Sequence, residues 1–224
     1  MSILPETKPS VETKDLPGEE DCAAMLTLYF TPGASSMAPH LALYEICAPF
    51  DARPVSLVKR ENRSTEFLAL NPAGTVPVLL IDGRPLSEVA AILFYLAKRF
   101  PAAGLLPESD LEGEAHAIEW MSFIASSIHP SRRLGATEAR AVWDIAEQRL
   151  GGCDWAMGRY SIVDIHLFRL FWRFHGALEL RPGELVGLQA HYERMRARPA
   201  VQQVLAAEAA IGYDALPGRQ PPPL

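Results

Sequence analysis

A single change of hydrophobic period constrains this chain more than any other feature. Between Leu26 and Arg99, short apolar runs alternate with helical patterns and turn signals. After the proline-bounded stretch Pro101–Pro107, every patterned segment repeats at helical spacing. A chain of 224 residues with one such switch is expected to fold as α/β plus all-α, a mixed βαβαββα unit followed by a helical bundle. The expected divisions are a disordered arm at 1–24, an α/β domain at 25–101, a linker at 102–109, a helical domain at 110–212 and a proline-rich tail at 213–224.

Local signals place the elements. Leu26–Phe30 reads as a strand ended by Thr31-Pro32-Gly33, and Ser35, Ser36 or both are expected to cap a helix carrying Met37, Leu41, Tyr44 and Ile46 on one side. Pro54 within the alternating Arg53–Leu57 marks an edge strand. Val76–Ile81 reads as a buried strand. Asp82-Gly83 is a two-residue hairpin signal into Arg84–Ser87, and a helix is expected over Glu88–Arg99. Further on, helices are expected at Leu111–Ser127, which contains Ile118, Met121 and Ile124, and at Thr137–Leu150, which contains Val142, Ile145 and Leu150. Ser161–Asp164 reads as a capping box opening the apolar helix Ile162–Phe174, and two more helices follow, near Glu184–Arg198 and Ala200–Ala210.

Composition excludes several classes of function. The formal net charge is -6 and the longest basic run is Arg132-Arg133, so no nucleic-acid footprint is expected. No segment is long and apolar enough for a membrane span, and the polar, proline-containing N-terminus does not read as a signal peptide. Cys22, Cys47 and Cys153 lie far apart, which fits a reducing, cytoplasmic setting and no disulfide framework. Asp164 and His166 point to different faces of a helix, so no metal is expected.

Three features of the α/β unit converge. A hydroxyl at Ser35 or Ser36 sits at a helix N-terminus, where unpaired amides and the dipole favour an anion such as a thiolate; plain capping is the simpler reading. Pro77 opens a central strand, where a cis peptide would free the Val76 backbone for an extended peptide; an ordinary strand-initiating proline is the alternative. Glu88 begins the next helix, where an acid complements the dipole or grips a ligand ammonium.

PGASSMAPHLAL, NPAGTVPVL and LSEVAAILFYLAKRFP, with YSIVD downstream, together resemble the cytosolic glutathione transferases, and among them the bacterial beta class. The resemblance covers about residues 26–210. It implies a thioredoxin-like domain, a helical domain and a homodimer, with glutathione as co-substrate and no metal. It also implies that Val76 pairs with the cysteinyl backbone of glutathione beside Pro77, that Glu88 binds the γ-glutamyl ammonium, and that the Val89 amide and His129 contribute to the site. A small hydrophobic electrophile, set against the helix containing Trp120 and Phe123, completes the expected partners.

Departures from the beta-class pattern accompany the match. Ser35 stands where that class usually has cysteine, and Val89 where most members have serine. Asp110 and Glu114 replace polar or basic positions that reach glutathione across the dimer, and the segment between His129 and Thr137 is short. The expected activity is therefore glutathione activation by Ser35 or Ser36, with a non-catalytic glutathione-transferase-like binding or regulatory protein as the alternative. Thiol–disulfide exchange is disfavoured by the absence of cysteine from the Ser35 turn.

Overall fold

A computed structural model describes residues 24–107 and 111–213, so most of the expected arm, Asp110 and most of the tail lie outside the described residues. The first domain comprises β1 (Leu26–Phe30), α1 (Met37–Glu45), β2 (Phe50–Pro54), α2 (Thr65–Leu70), β3 (Val78–Ile81), β4 (Arg84–Ser87) and α3 (Val89–Arg99). Its sheet runs β2-β1-β3-β4, with β1 and β2 parallel and the other pairs antiparallel. β1 and β3 are central, and their Leu26, Leu28, Phe30, Val78 and Leu79 are buried.

Among the described residues β2 pairs only with β1, which explains how Pro54 is accommodated: an edge strand tolerates the missing donor. The strand lies three residues earlier than the alternation of Val55 and Leu57 suggests. Pairing closes where the Val55 N–H donates to the Phe30 carbonyl at 2.7 Å. The Asp82-Gly83 turn forms as expected, with φ of 51° and 80°. Two successive positive values match the right-handed twist of a hairpin, and glycine takes the second without a Cβ penalty.

α1 overturns the one-sided expectation. Met37 through Leu43 are all buried, because the helix is packed against α3 and against helices of the second domain.

The second domain comprises α4 (Leu111–Phe123), a π-helical turn at Ile124–Ile128, α5 (His129–Ser131), α6 (Ala136–Leu150), α7 (Ile162–Phe174), α8 (Val186–Arg196) and α9 (Pro199–Ile211). The α7 helix is its axis, and Ile162 through Trp172 are buried without a break. Its capping box is formed: the Ser161 hydroxyl accepts from the Val163 N–H, and the Asp164 carboxylate accepts from the Ser161 N–H at 2.8 Å. Asp164 also accepts from the Ala156 N–H at 2.8 Å and meets His191 Nε2 at 3.1 Å. Its side chain is thus a structural hub.

Not every apolar residue of these helices faces the core. Ile118 and Ile145 are 51% and 44% exposed, while Trp143, Ala139 and Ala146 fill the α6 face instead. A helical period alone does not say which of two apolar flanks meets the neighbour, and the larger indole wins the interior. One continuous apolar cluster runs from β1 and α1 through α3 to α4, α6, α7 and α9, so the two domains share a core.

Candidate active site

The β1–α1 turn, Thr31 to Ser36, is tied down from several directions. The Thr31 hydroxyl donates to the Val55 carbonyl at 2.6 Å. Ser36 is fully buried; its Oγ accepts from the Thr31 N–H at 3.0 Å and donates to the Thr31 carbonyl at 3.1 Å. This corrects two expectations. Ser36 is committed to closing the turn, so its hydroxyl is not available to a ligand. Neither serine caps α1, because Ser36 already has helical dihedrals and its side chain points back along the turn.

Ser35 is placed differently. It is half-buried, and its Oγ donates to the Val76 carbonyl at 3.1 Å. Among the described residues, neither the Ser35 nor the Ser36 amide has a hydrogen-bond partner. These amides end α1 with unpaired donors beside the positive pole of its dipole.

The Val76–Pro77 peptide is cis. The loop before it is held by two asparagines. Asn71 Nδ2 donates to the Thr75 carbonyl at 2.8 Å, its Oδ1 accepts from the Ala73 N–H at 3.1 Å, and Asn62 Nδ2 donates to the Gly74 carbonyl at 2.7 Å.

Glu88 is the residue before α3 rather than part of its first turn. Its φ of 72° and ψ of 124° are unusual for a side chain with a Cβ, and the side chain is exposed and caps nothing. Backbone strain of this kind costs on the order of 1–3 kcal/mol and persists where surrounding structure imposes it. Val89 follows with its side chain buried.

His129 lies just after the π-helical turn and is partly buried. Burial, then the charges of Arg169, Arg132 and Arg133, push its imidazole down to about 4, so it is neutral at physiological pH. Behind it, His166 is pushed down to about 3 by burial and then by Arg169 and His129. Of the aromatic residues expected to face an electrophile, Trp120 and Phe123 are both overlaid by the Arg149 guanidinium, at 5.8 and 4.3 Å from the ring centroids. Glu114 accepts from Lys98 Nζ at 2.7 Å, an ion pair within the chain. A separate cavity of about 480 Å³ between α7 and α8, lined by Phe171, His175, Tyr192 and Glu193, includes none of the site residues.

Residues that the sequence reading missed hold the turn from the helical domain. Glu208 of α9 is fully buried; its Oε2 accepts from the Gly33 N–H at 2.7 Å and its Oε1 meets His40 Nδ1 at 2.9 Å. Arg169 of α7 donates from Nε to the Ala34 carbonyl at 3.0 Å and from Nη2 to the Gly33 carbonyl at 3.2 Å. Gly33 itself has φ 71°, and a Cβ there would meet the Tyr213 ring at 3.1 Å, so glycine serves both backbone and packing.

A mixed four-stranded sheet whose first turn meets a cis-proline loop, seated on a helical domain, defines a thioredoxin-like protein of the two-domain transferase architecture. Residues 24–98 match the glutathione S-transferase N-terminal domain. The glutathione S-transferase GST-4.5 of Xanthomonas campestris pv. campestris is 31% identical over 82% of this chain and 98% of its own. A sphingomonad glutathione S-transferase complexed with glutathione superposes with a TM-score of 0.73 at 32% identity, covering 82% of this chain and 98% of that one. The bacterial beta class enzyme of Sphingomonas chungbukensis does so at 0.71 and 33%, covering 81% and 98%. The chain belongs to the glutathione S-transferase family.

Proposed function

We propose that this protein is an enzyme that binds glutathione at the Ser35 turn and activates its thiol for addition to a small apolar electrophile. The observation that carries the reading is the 3.1 Å contact between Ser35 Oγ and the Val76 carbonyl. The Ser35 hydroxyl, whose single proton is donated to the Val76 carbonyl in the free chain, on this reading turns to the sulfur as that carbonyl takes the cysteinyl N–H. On this reading Glu88 takes the γ-glutamyl ammonium, and the Val89 amide takes part of its carboxylate. His129 contributes a neutral imidazole from the helical side.

The energetics are adequate. A free thiol titrates near 8.5, and each unit of depression needs about 1.4 kcal/mol of preferential thiolate stabilisation. One charge-assisted hydrogen bond and a helix terminus together supply roughly two to three units. With serine at position 35, where the beta class usually has cysteine, a mixed disulfide with glutathione is impossible at that residue. The ligand then supplies the only nucleophile. The reading extends to a cytoplasmic homodimer that needs no metal.

The test is ultraviolet absorbance of bound glutathione against pH, preceded by isothermal titration. A thiol titrating well below its free value supports the enzyme. Val89 in place of a hydroxyl donor favours a second reading, a glutathione-transferase-like binding or regulatory protein without turnover, and tight binding with an unshifted thiol would establish it. Failure to bind glutathione overturns the enzyme reading and favours the second.

A further inference from the structure

Arg169 is a buried cation whose nearest acceptors are two backbone carbonyls rather than a carboxylate. It is 4% exposed, and Nε and Nη2 are spent on Ala34 and Gly33, while Nη1 is buried with no hydrogen-bond partner among the described residues. Among its neighbours, His166 Nδ1 is equally without a partner. A buried guanidinium is costly unless its field is used, so its position demands a reason beyond packing.

The geometry supplies one. The Ala34 carbonyl accepts both from Arg169 Nε and from the Met37 N–H of α1, so it points along the helix axis, away from the turn. The Ala34–Ser35 peptide is trans, and in a planar trans peptide the N–H points opposite to the C=O. The Ser35 N–H is therefore aimed off the N-terminal end of α1. It is one of the two amides there without a partner. A donor bound to a peptide's carbonyl also polarises that peptide, strengthening its N–H.

We propose that Arg169 is a positioning residue for thiolate formation: it locks the Gly33–Ala34 carbonyls so that the Ser35 amide acts as a second donor to the glutathione sulfur, alongside the Ser35 hydroxyl. This rests on the glutathione reading above and adds a residue from the helical domain to it.

The charges around Arg169 are consistent with that role. Burial brings the guanidinium down to about 9, with Arg173 and Arg132 acting in the same direction and Glu208 opposing, so it stays charged at neutral pH. His166 and His129 face it as neutral rings. Glu208 offers the turn its one buried carboxylate among the described residues, and both its oxygens are engaged, by Gly33 and His40. Tyr213, whose ring lies against Gly33, is held protonated, its hydroxyl pushed up to about 12 by burial, then by Glu208, with Arg173 opposing.

The experiment titrates the thiol of glutathione bound to wild-type protein, Arg169→Lys and Arg169→Gln, and measures affinity for S-methylglutathione, which has no ionisable thiol. In Arg169→Gln the bound thiol should titrate about one unit higher, a tenfold smaller thiolate fraction below its pKa. Arg169→Lys, which keeps the charge but cannot fork, should fall between, and S-methylglutathione should bind all three within about twofold. Should the variants fail to fold, the wild-type Ser35 amide is followed by NMR; it should shift with the thiol titration of glutathione and not with S-methylglutathione. A thiol pKa that is lowered in wild type and unchanged in both variants overturns the inference while leaving the enzyme reading intact. An Ser35 amide blind to the thiol overturns it too. An unshifted thiol in wild type removes the reading beneath both.

Discussion

The hydroxyl of Ser35 donates to the carbonyl of Val76 across 41 residues of sequence, joining the first turn of the sheet to the cis-proline loop. The neighbouring Ser36 hydroxyl is sealed against Thr31. Two adjacent serines therefore separate by experiment. Ser35→Ala is expected to lower kcat/KM with glutathione by roughly 10- to 100-fold, the worth of one hydrogen bond to a charged sulfur, with little change in stability. Ser36→Ala leaves the buried Thr31 N–H unpaired, while the Thr31 carbonyl keeps the Ala34 N–H, and should cost about 1–3 kcal/mol in urea unfolding while the bound thiol titrates as in wild type.

Glu88 allows binding and backbone strain to be separated. Glu88→Gly should relieve the positive φ and raise stability by about 1 kcal/mol, yet weaken glutathione binding roughly tenfold or more. Glu88→Gln keeps the backbone conformation and should lose a comparable amount of affinity without the gain in stability. Titration calorimetry paired with thermal unfolding reads both.

Asp164 is buried and takes four donors: the Ser161 N–H and hydroxyl, the Ala156 N–H and His191 Nε2. Asp164→Ala should cost about 3–5 kcal/mol, against about 1–2 kcal/mol for Ser161→Ala, which removes the cap on Val163 and one of the four donors to Asp164. Denaturant midpoints at neutral pH decide this.

The two depressed histidines set an acid limit. An unfolded histidine titrates near 6.5, whereas His129 and His166 in the folded chain titrate near 4 and 3. Below about pH 6.5 the unfolded chain binds more protons, so stability should fall as pH drops, at up to about 1.4 kcal/mol per pH unit for each histidine. The contribution is fully present above pH 6.5. Unfolding free energies between pH 7.5 and 4.5 should show the slope, and His166→Phe should flatten it.

Much of this architecture was legible because its signals are local. Asp82-Gly83 specifies its hairpin within two residues, and Ser161 with Asp164 specifies its cap within four. Leu26–Phe30 and Ile162–Phe174 form at the expected bounds. The exposure of Ile118 and Ile145 on α4 and α6 was not legible, because period fixes a stripe but not its partner. At the candidate site, the Ser35 hydroxyl meets the Val76 carbonyl next to Pro77. Arg169 and Glu208 were illegible. One interrupts an apolar helix and the other sits in an alanine-rich one, and nothing nearby in sequence marks them as facing a turn more than 130 residues away. Long-range pairing leaves no local trace when the partner is backbone.

The contact between Glu208 and the Gly33 N–H spans 175 residues. A ribosome emits Gly33 early and Glu208 late, so through most of synthesis the turn carrying Ser35 has no carboxylate beneath it. The nascent α/β domain would then be an unfinished receptor, completed only when α9 docks. Assembly of the site is in this sense a timed event, and the helical domain sets the clock.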